Sequence, residues 1–154
     1  MPISAPLRRP VRHRQVLSER IITMLGILWA LPLTLLGALL LMLPTLLLRG
    51  RIDVVMRPTP ALLVRGPLAD RLLEHHPFGA MCAMAIGHIV IAQRQGLTAR
   101  VLTHELAHVR QAAHWGFVFP LVYLAASFWA LLHGEDAYWN NHFEIAARRA
   151  EQET

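Results

Sequence analysis

The chain has 154 residues, 55% of them hydrophobic, a mean hydropathy of +0.39 and a formal net charge of +5. That length allows one compact domain at most, and that apolarity exceeds what an ordinary soluble protein carries. The basic excess gives no nucleic-acid footprint: all fifteen cationic residues are Arg, and no aromatic residues interleave with them as strand binding requires.

Residues 1–20 are rich in Pro and Arg and read as a disordered basic N-terminus. Residues 21–48, "IITMLGILWALPLTLLGALLLMLPTLLL", carry no charge. A spanning helix needs about 20 apolar residues, so this run can cross a bilayer with tilt, a kink at Pro32 or an interfacial end near Pro44. A cleaved signal peptide would show a small-residue cleavage site after a shorter apolar core; "LLLRGRID" follows instead, which predicts an uncleaved transmembrane anchor. Arg8, Arg9, Arg12, Arg14 and Arg20 precede the run, and Arg49, Arg51, Arg57 and Arg65 follow it. Such clusters suit anionic headgroups, and their near balance leaves the membrane side of the domain open.

Residues 49–154 form the expected folded domain. "RIDVVMRPTPALLVRGP" reads as two short extended segments interrupted by Pro58 and Pro60. "LADRLLEHH" predicts a short helix ending before Pro77, and "AIGHIVIA", residues 85–92, a β-branched strand. Cys82, the single cysteine, excludes an intrachain disulfide and reads as a buried apolar filler. Thr98 predicts the cap of a helix over 99–114, ended by Gly116. A second apolar run, 117–133, is broken by Gly134, and "EDAYWNNHFEIAARRAEQE" reads as a final amphipathic helix opened by Glu135 and Asp136. His75, His76 and His88 read as structural or surface residues, and Arg110 as a surface cation.

The helix over 99–114 contains "HELAH". Residues four apart share a helix face, so the imidazoles of His104 and His108 can reach one Zn²⁺ at about 2.0–2.1 Å. Glu105 sits beside the first ligand, where it can take a proton from an attacking water as general base. With nine His and seven Glu in the chain, chance predicts only about 0.02 HExxH matches. Catalytic zinc usually has a third protein ligand, and His114, His133, Glu135, Asp136, His142 and Glu144 follow the motif. His114 falls on the wrong side of the same helix. Glu144 lies between Phe143 and Ile145, where an unpaired buried carboxylate would be costly and a metal would resolve that cost.

"GHIVIA", "HELAHVRQAAHWG", "FPLVYLAAS" and "AYWNNHFEIAARRAE" together resemble a group of short bacterial HExxH proteins. Their recurring elements are HExxHVRQ, WG, P-x-x-Y-L, and Asn-Pro-Phe-Glu followed by Ala. The resemblance covers residues 79–150. It implies a minimal gluzincin-like arrangement in which His104, His108 and Glu144 are the zinc ligands and Glu105 the base. His142 stands where the group has proline, and Leu106-Ala107 where it often has Arg-Val, which leaves His142 as the alternative third ligand. Gln111 and Trp115 fall near the metal's side of the helix. Asn140, Asn141 and Arg148 are candidate partners for the Glu144 carboxylate, or else solvated residues. Tyr138 is a candidate donor to a reacting carbonyl.

The expected fold is α+β and mainly helical: an N-terminal transmembrane helix, then a minimal zincin-like domain of short strands, HExxH helix, apolar helix and C-terminal helix carrying the third ligand. The run 117–133 is expected to pack in the domain or lie along the bilayer, because a full crossing would separate His108 from Glu144. The expected function is a zinc-dependent metallopeptidase anchored by a single pass in the bacterial inner membrane, with membrane lipids and a peptide or protein substrate as partners. The alternative is a non-catalytic scaffold or binding protein with a structural zinc. A site immersed in the bilayer is disfavoured by Arg100, Glu105, Arg110 and Gln111 on the motif's own helix.

Overall fold

The computed structural model of the protein describes residues 12–153, with side chains from Leu17 onward; the first eleven residues of the expected disordered segment lie outside it. The rest of that segment, 12–20, is not irregular but opens helix α1 (Arg12–Trp29). Once the apolar part has nucleated a helix, each added residue gains a hydrogen bond at little further cost.

The apolar run is not one straight helix. α1 ends at Trp29, and after Ala30 come α2 (Leu31–Gly37), a π-helical turn (Ala38–Met42) and α3 (Leu43–Leu47). The axes of Leu17–Trp29 and Leu31–Leu47 meet at 59°. Pro32 and Pro44 are the physical cause: each lacks an N–H for the carbonyl four residues back and its ring crowds that turn, producing the bend and the widened turn.

Four strands follow: β1 (Arg51–Val55), β2 (Ala61–Arg65), β3 (Ala83–Ile86) and β4 (Ile89–Ala92), with α4 (Pro67–Glu74) between β2 and β3. Their order is β1-β2-β4-β3, antiparallel except for the β2/β4 pair, so β3 is an edge strand. The single strand expected over 85–92 is therefore a tight hairpin. Gly87, at φ +59°, makes the turn with His88, a conformation that a residue with a Cβ rarely adopts. His88 is buried and structural: its N–H donates to Thr34 Oγ1 at 3.1 Å, and its Nδ1 lies 2.6 Å from the Pro60 carbonyl oxygen. Cys82, expected inside, is exposed at the approach to β3.

Alternation along the strands gives the sheet two apolar faces. Leu63, Val90 and Ala92 pack against Leu106 and Val109 of α5 (Ala99–Trp115). Val64, Ile89 and Ile91 pack against Ala69 and Leu73 of α4 and against Leu41 and Met42 of the π-helical turn. Each such fully buried aliphatic side chain contributes about 1.5–3 kcal/mol relative to exposure. The sheet is thus the middle layer, with the motif helix on one side and α4 and the π-helical turn on the other, while α1 packs on α5 and Leu33 of α2 joins Ala112, Phe119 and Phe143.

Thr98 caps α5 as expected, its Oγ1 accepting from Val101 N at 3.2 Å. Gly116 (φ +64°) opens a 3₁₀ turn into α6 (Phe119–Leu132). Taken together, Ala99–Leu132 is one helix long and apolar enough to cross a membrane. Its α5 half is packed on the sheet, while α6 leaves Leu121, Leu124, Phe128, Trp129 and Leu132 exposed. The last helix, α7 (His142–Gln152), begins seven residues later than Glu135. Asn141 caps the helix that Glu135 and Asp136 were expected to open, and Asp136 instead accepts from the Tyr138 and Trp139 N–H groups in the preceding turn. That makes Asp136 a loop-forming carboxylate, held below the usual range by those two donors.

Candidate metal centre

α5 presents His104, Glu105 and His108 from its buried half, and α7, packed beside it, presents Glu144 from its first turn. His104 Nε2 and His108 Nε2 are 3.0 Å apart. Glu144 Oε2 is 3.3 Å from His104 Nε2, and its Oε1 is 3.2 Å from His108 Nε2. Among the described residues these three form the group able to hold a metal ion, with His142 outside it. The His142 ring lies tilted against the Phe143 ring, its centroid 3.9 Å away, and is exposed.

The hydrogen bonds behind the ligand atoms fix what those atoms offer. Gln111 Nε2 donates to the Phe143 carbonyl at 2.9 Å, so its Oε1 is the acceptor toward His108 Nδ1, also at 2.9 Å. His104 Nδ1 lies 2.6 Å from Glu151 Oε1, a carboxylate that can only accept at neutral pH. Both rings therefore carry a proton on Nδ1 and, when neutral, turn an Nε2 lone pair toward the carboxylate of Glu144. Three acceptors facing one another in a buried space repel unless a cation lies between them.

The dimensions suit that cation. Donor atoms about 2.0–2.2 Å from a tetrahedral zinc stand about 3.3–3.6 Å from one another; the Nε2–Nε2 distance of 3.0 Å and the 3.3 Å from His104 Nε2 to Glu144 Oε2 lie at or slightly below that range, and one ligand atom from each of the three residues falls within 4.8 Å of the others. Glu144 Oε2 is buried without a hydrogen-bond partner, as an atom reserved for a metal would be. The other oxygen, Oε1, accepts from the Tyr123 hydroxyl of α6 at 2.7 Å. Without a metal, burial raises the Glu144 carboxyl, but hydrogen bonds from the imidazoles in their protonated form and from the Tyr123 hydroxyl outweigh it and hold the group far below the usual carboxylate range, while against its own burial His104 is raised by the same carboxylate.

Glu105 stays out of the triangle. It is buried, and the backbone N–H of Ala85 on edge strand β3 faces its carboxylate. Of the other expected neighbours, Gln111 holds His108 as described. Asn141 does not reach Glu144; it donates to Tyr123 O at 3.1 Å and Ser127 Oγ at 2.8 Å, pinning α7 to α6. Asn140 lies in the exposed turn before α7. Arg148 Nη1 is 3.9 Å from Glu144 Oε2, while its guanidinium donates to the Trp139 carbonyl and lies over the Trp139 and Tyr138 rings. Trp115 packs edge-on to Phe143, not toward the ligands. Burial, then the Glu144 carboxylate beside it, pushes the Tyr138 phenol up to about 12, so it remains a hydrogen-bond donor.

Two participants escaped the sequence reading, Tyr123 and Glu151. Tyr123 is the one hydroxyl-bearing ring in the 117–133 run, and Glu151 falls two helical turns after Glu144 on the same face. Compared with known protein families, curated proteins and solved structures, the chain matches none.

Proposed function

We propose that the protein is a membrane-anchored zinc metallopeptidase of the minimal gluzincin type, with His104, His108 and Glu144 as ligands and Glu105 as general base. The observation that carries this reading is the gathering of His104, His108 and Glu144, with the two Nε2 atoms 3.0 Å apart and each within 3.3 Å of a Glu144 oxygen, while Glu105, on the same helix, stays outside the group. Three protein ligands leave one coordination position for water or substrate, the pattern of a catalytic site; a structural zinc is closed by a fourth. A scaffold with a structural zinc would draw that fourth ligand from His142, which is turned onto Phe143 instead.

Two imidazoles and a carboxylate are a donor set suited to zinc. Zinc, when bound, supplies Lewis acidity toward a water and toward a carbonyl oxygen. Glu105 then takes the proton of the attacking water and returns it to the leaving amine nitrogen. Glu151 and Gln111 keep the two Nδ1 protons in place, so that both Nε2 atoms stay available as ligands. Tyr138 is the neutral donor beside Glu144 available to the scissile carbonyl oxygen. The edge of β3 offers an extended peptide a row of backbone partners, an argument by fold analogy.

The membrane part of the proposal rests on exposed apolar side chains of α1 and α6, among them Ile22, Met24, Leu28, Leu121, Leu124 and Phe128. A bacterial source is what the resemblance in the motifs implies, and the apolar run 21–48 with its flanking arginines adds the inner membrane to the proposal. The test is metal analysis of purified wild type beside Glu105→Gln and His104→Ala, each offered a degenerate peptide library. Equal zinc in wild type and Glu105→Gln, cleavage by wild type alone, and no zinc in His104→Ala are expected. Loss of zinc from Glu105→Gln would overturn the roles, and a zinc-loaded wild type that cleaves nothing would return the protein to the scaffold reading.

A further inference from the structure

The segment from α2 to α3 has two apolar faces, and one is occupied by protein along its length. Near its start, Thr34 Oγ1 accepts from His88 N, and a Cβ on Gly87 would lie 2.5 Å from Thr34 N. At mid-length, a Cβ on Gly37 would lie 2.8 Å from the Ile86 carbonyl oxygen, while Ala38, Leu41 and Met42 pack on the sheet. Near its end Thr45 is fully buried against Gly50 and Gly66. From Thr34 to Thr45 is about 16 Å of helix, all of it lying against the folded domain.

The other face carries Leu35, Leu36, Leu39, Leu40, Leu43 and Leu47, which are 45–76% exposed. Midway along, a cavity of about 400 Å³ adjoins Leu41, with Leu72 and Met84 as apolar walls and Arg71, His75 and His76 as donor-bearing ones. Among the described residues no carboxylate pairs with any of those three; the neighbouring Asp70 is taken by Arg94. The same loop ends in Phe78, 91% exposed.

A helix standing upright in lipid would carry the sheet's edge and Arg71, His75 and His76 toward the hydrocarbon, where ionisable groups are costly. A helix lying flat puts its leucines in the acyl layer and leaves those groups at the headgroups. We propose that α2–α3 lies in the plane of the membrane surface and that the cavity beside Leu41 takes the phosphate of an acidic phospholipid headgroup. The occupant follows from charge and position: Arg71, His75 and His76, none of them paired with a carboxylate among the described residues, surround an apolar floor beside the segment that carries the exposed leucines, and this matches an anion that carries acyl chains. This inference does not rest on the peptidase reading, since no residue of the metal centre takes part.

The full chain on a Cys82→Ser background, labelled with a nitroxide at Leu35→Cys, Leu39→Cys or Leu43→Cys in vesicles containing phosphatidylglycerol, tests the orientation by electron paramagnetic resonance depth measurement. The three depths are expected to agree within about 4 Å, whereas an upright helix separates the outer two by about 12 Å, and any larger spread than the first overturns the proposal. Lipid retained by the detergent-purified chain tests the cavity: wild type is expected to hold phosphatidylglycerol over phosphatidylcholine, and Arg71→Gln about fivefold less of it. Equal retention by wild type and variant, no preference between the two lipids, or release of the lipid by inorganic phosphate would each overturn the headgroup site.

Discussion

His104 Nδ1 lies 2.6 Å from Glu151 Oε1, joining the first turns of the motif helix to the last turn of α7. The contact spans 47 residues of sequence, and it fixes both the ring orientation and the tautomer that leaves Nε2 free. Glu151 is only partly exposed, with 23% of its side chain reaching solvent, so the pair keeps much of its strength. Replacing Glu151 with Gln is expected to weaken metal binding about 10- to 100-fold, with the fold retained. Competition with a chromophoric chelator measures this, and Arg149→Gln, an exposed change on the same turn, serves as the reference. Equal affinity in the two variants would show that Glu151 does not hold the ring.

Tyr123 offers a second check, because it comes from the apolar helix and not from the motif. Its hydroxyl meets Glu144 Oε1 at 2.7 Å, and its ring lies against Phe119 and Phe143. Tyr123→Phe keeps the packing and leaves a buried carboxylate oxygen without its donor. The expected loss is about 1–3 kcal/mol of stability in metal-free protein, read from thermal unfolding in chelator. The loss is expected to shrink when metal is added, because the carboxylate then has another partner. His142→Ala, by contrast, is expected to leave metal content unchanged.

Metal removal itself should be visible in stability. Two imidazole nitrogens and the Glu144 carboxylate crowd within 3.3 Å of one another, so with both rings neutral the metal-free site holds a repulsion that a bound cation relieves. At a metal concentration one hundred times the dissociation constant, binding to the folded state stabilises it by about 2.7 kcal/mol. For a chain of this size that corresponds to about 5–10 °C in Tm. Thermal unfolding with and without a chelator is the measurement. An unchanged Tm on chelation, in protein shown to have carried metal, would mean that the three side chains separate freely without it.

The local parts of this site were legible in the sequence and the tertiary parts were not. His104 and His108 are four residues apart on a capped helix, so their shared face follows from helix geometry alone. Glu144 was reachable through the resemblance in "NNHFEIAARRAE" and through the cost of burying it between apolar neighbours. Nothing local points Tyr123 or Glu151 at the ligands, because their contacts depend on how α6 and α7 settle against α5. The strand read over 85–92 hid a hairpin, since Gly87 interrupts a β-branched run without changing its hydropathy. In the same way composition registered the apolarity of 21–48, while Pro32 and Pro44 decided its shape.

How firmly α1 is held to the domain can be measured at Gly116. This residue sits at φ +64°, and a Cβ there would lie 2.4–2.5 Å from the indole of Trp29. Trp29 in turn meets Phe117 edge-on, with ring centroids 5.1 Å apart. Gly116→Ala must therefore bear left-handed backbone strain and also push the indole away. Gly134 separates the two costs: its φ is +73°, but a Cβ there meets nothing within 4 Å. Gly134→Ala is expected to lose only the backbone part, about 1–2 kcal/mol. Gly116→Ala is expected to lose more, by about 1–3 kcal/mol for the displaced ring, with Trp emission shifted to the red as the indole leaves its site. Equal losses in the two variants, with unshifted emission, would mean that the α1 end is not docked against the start of α6.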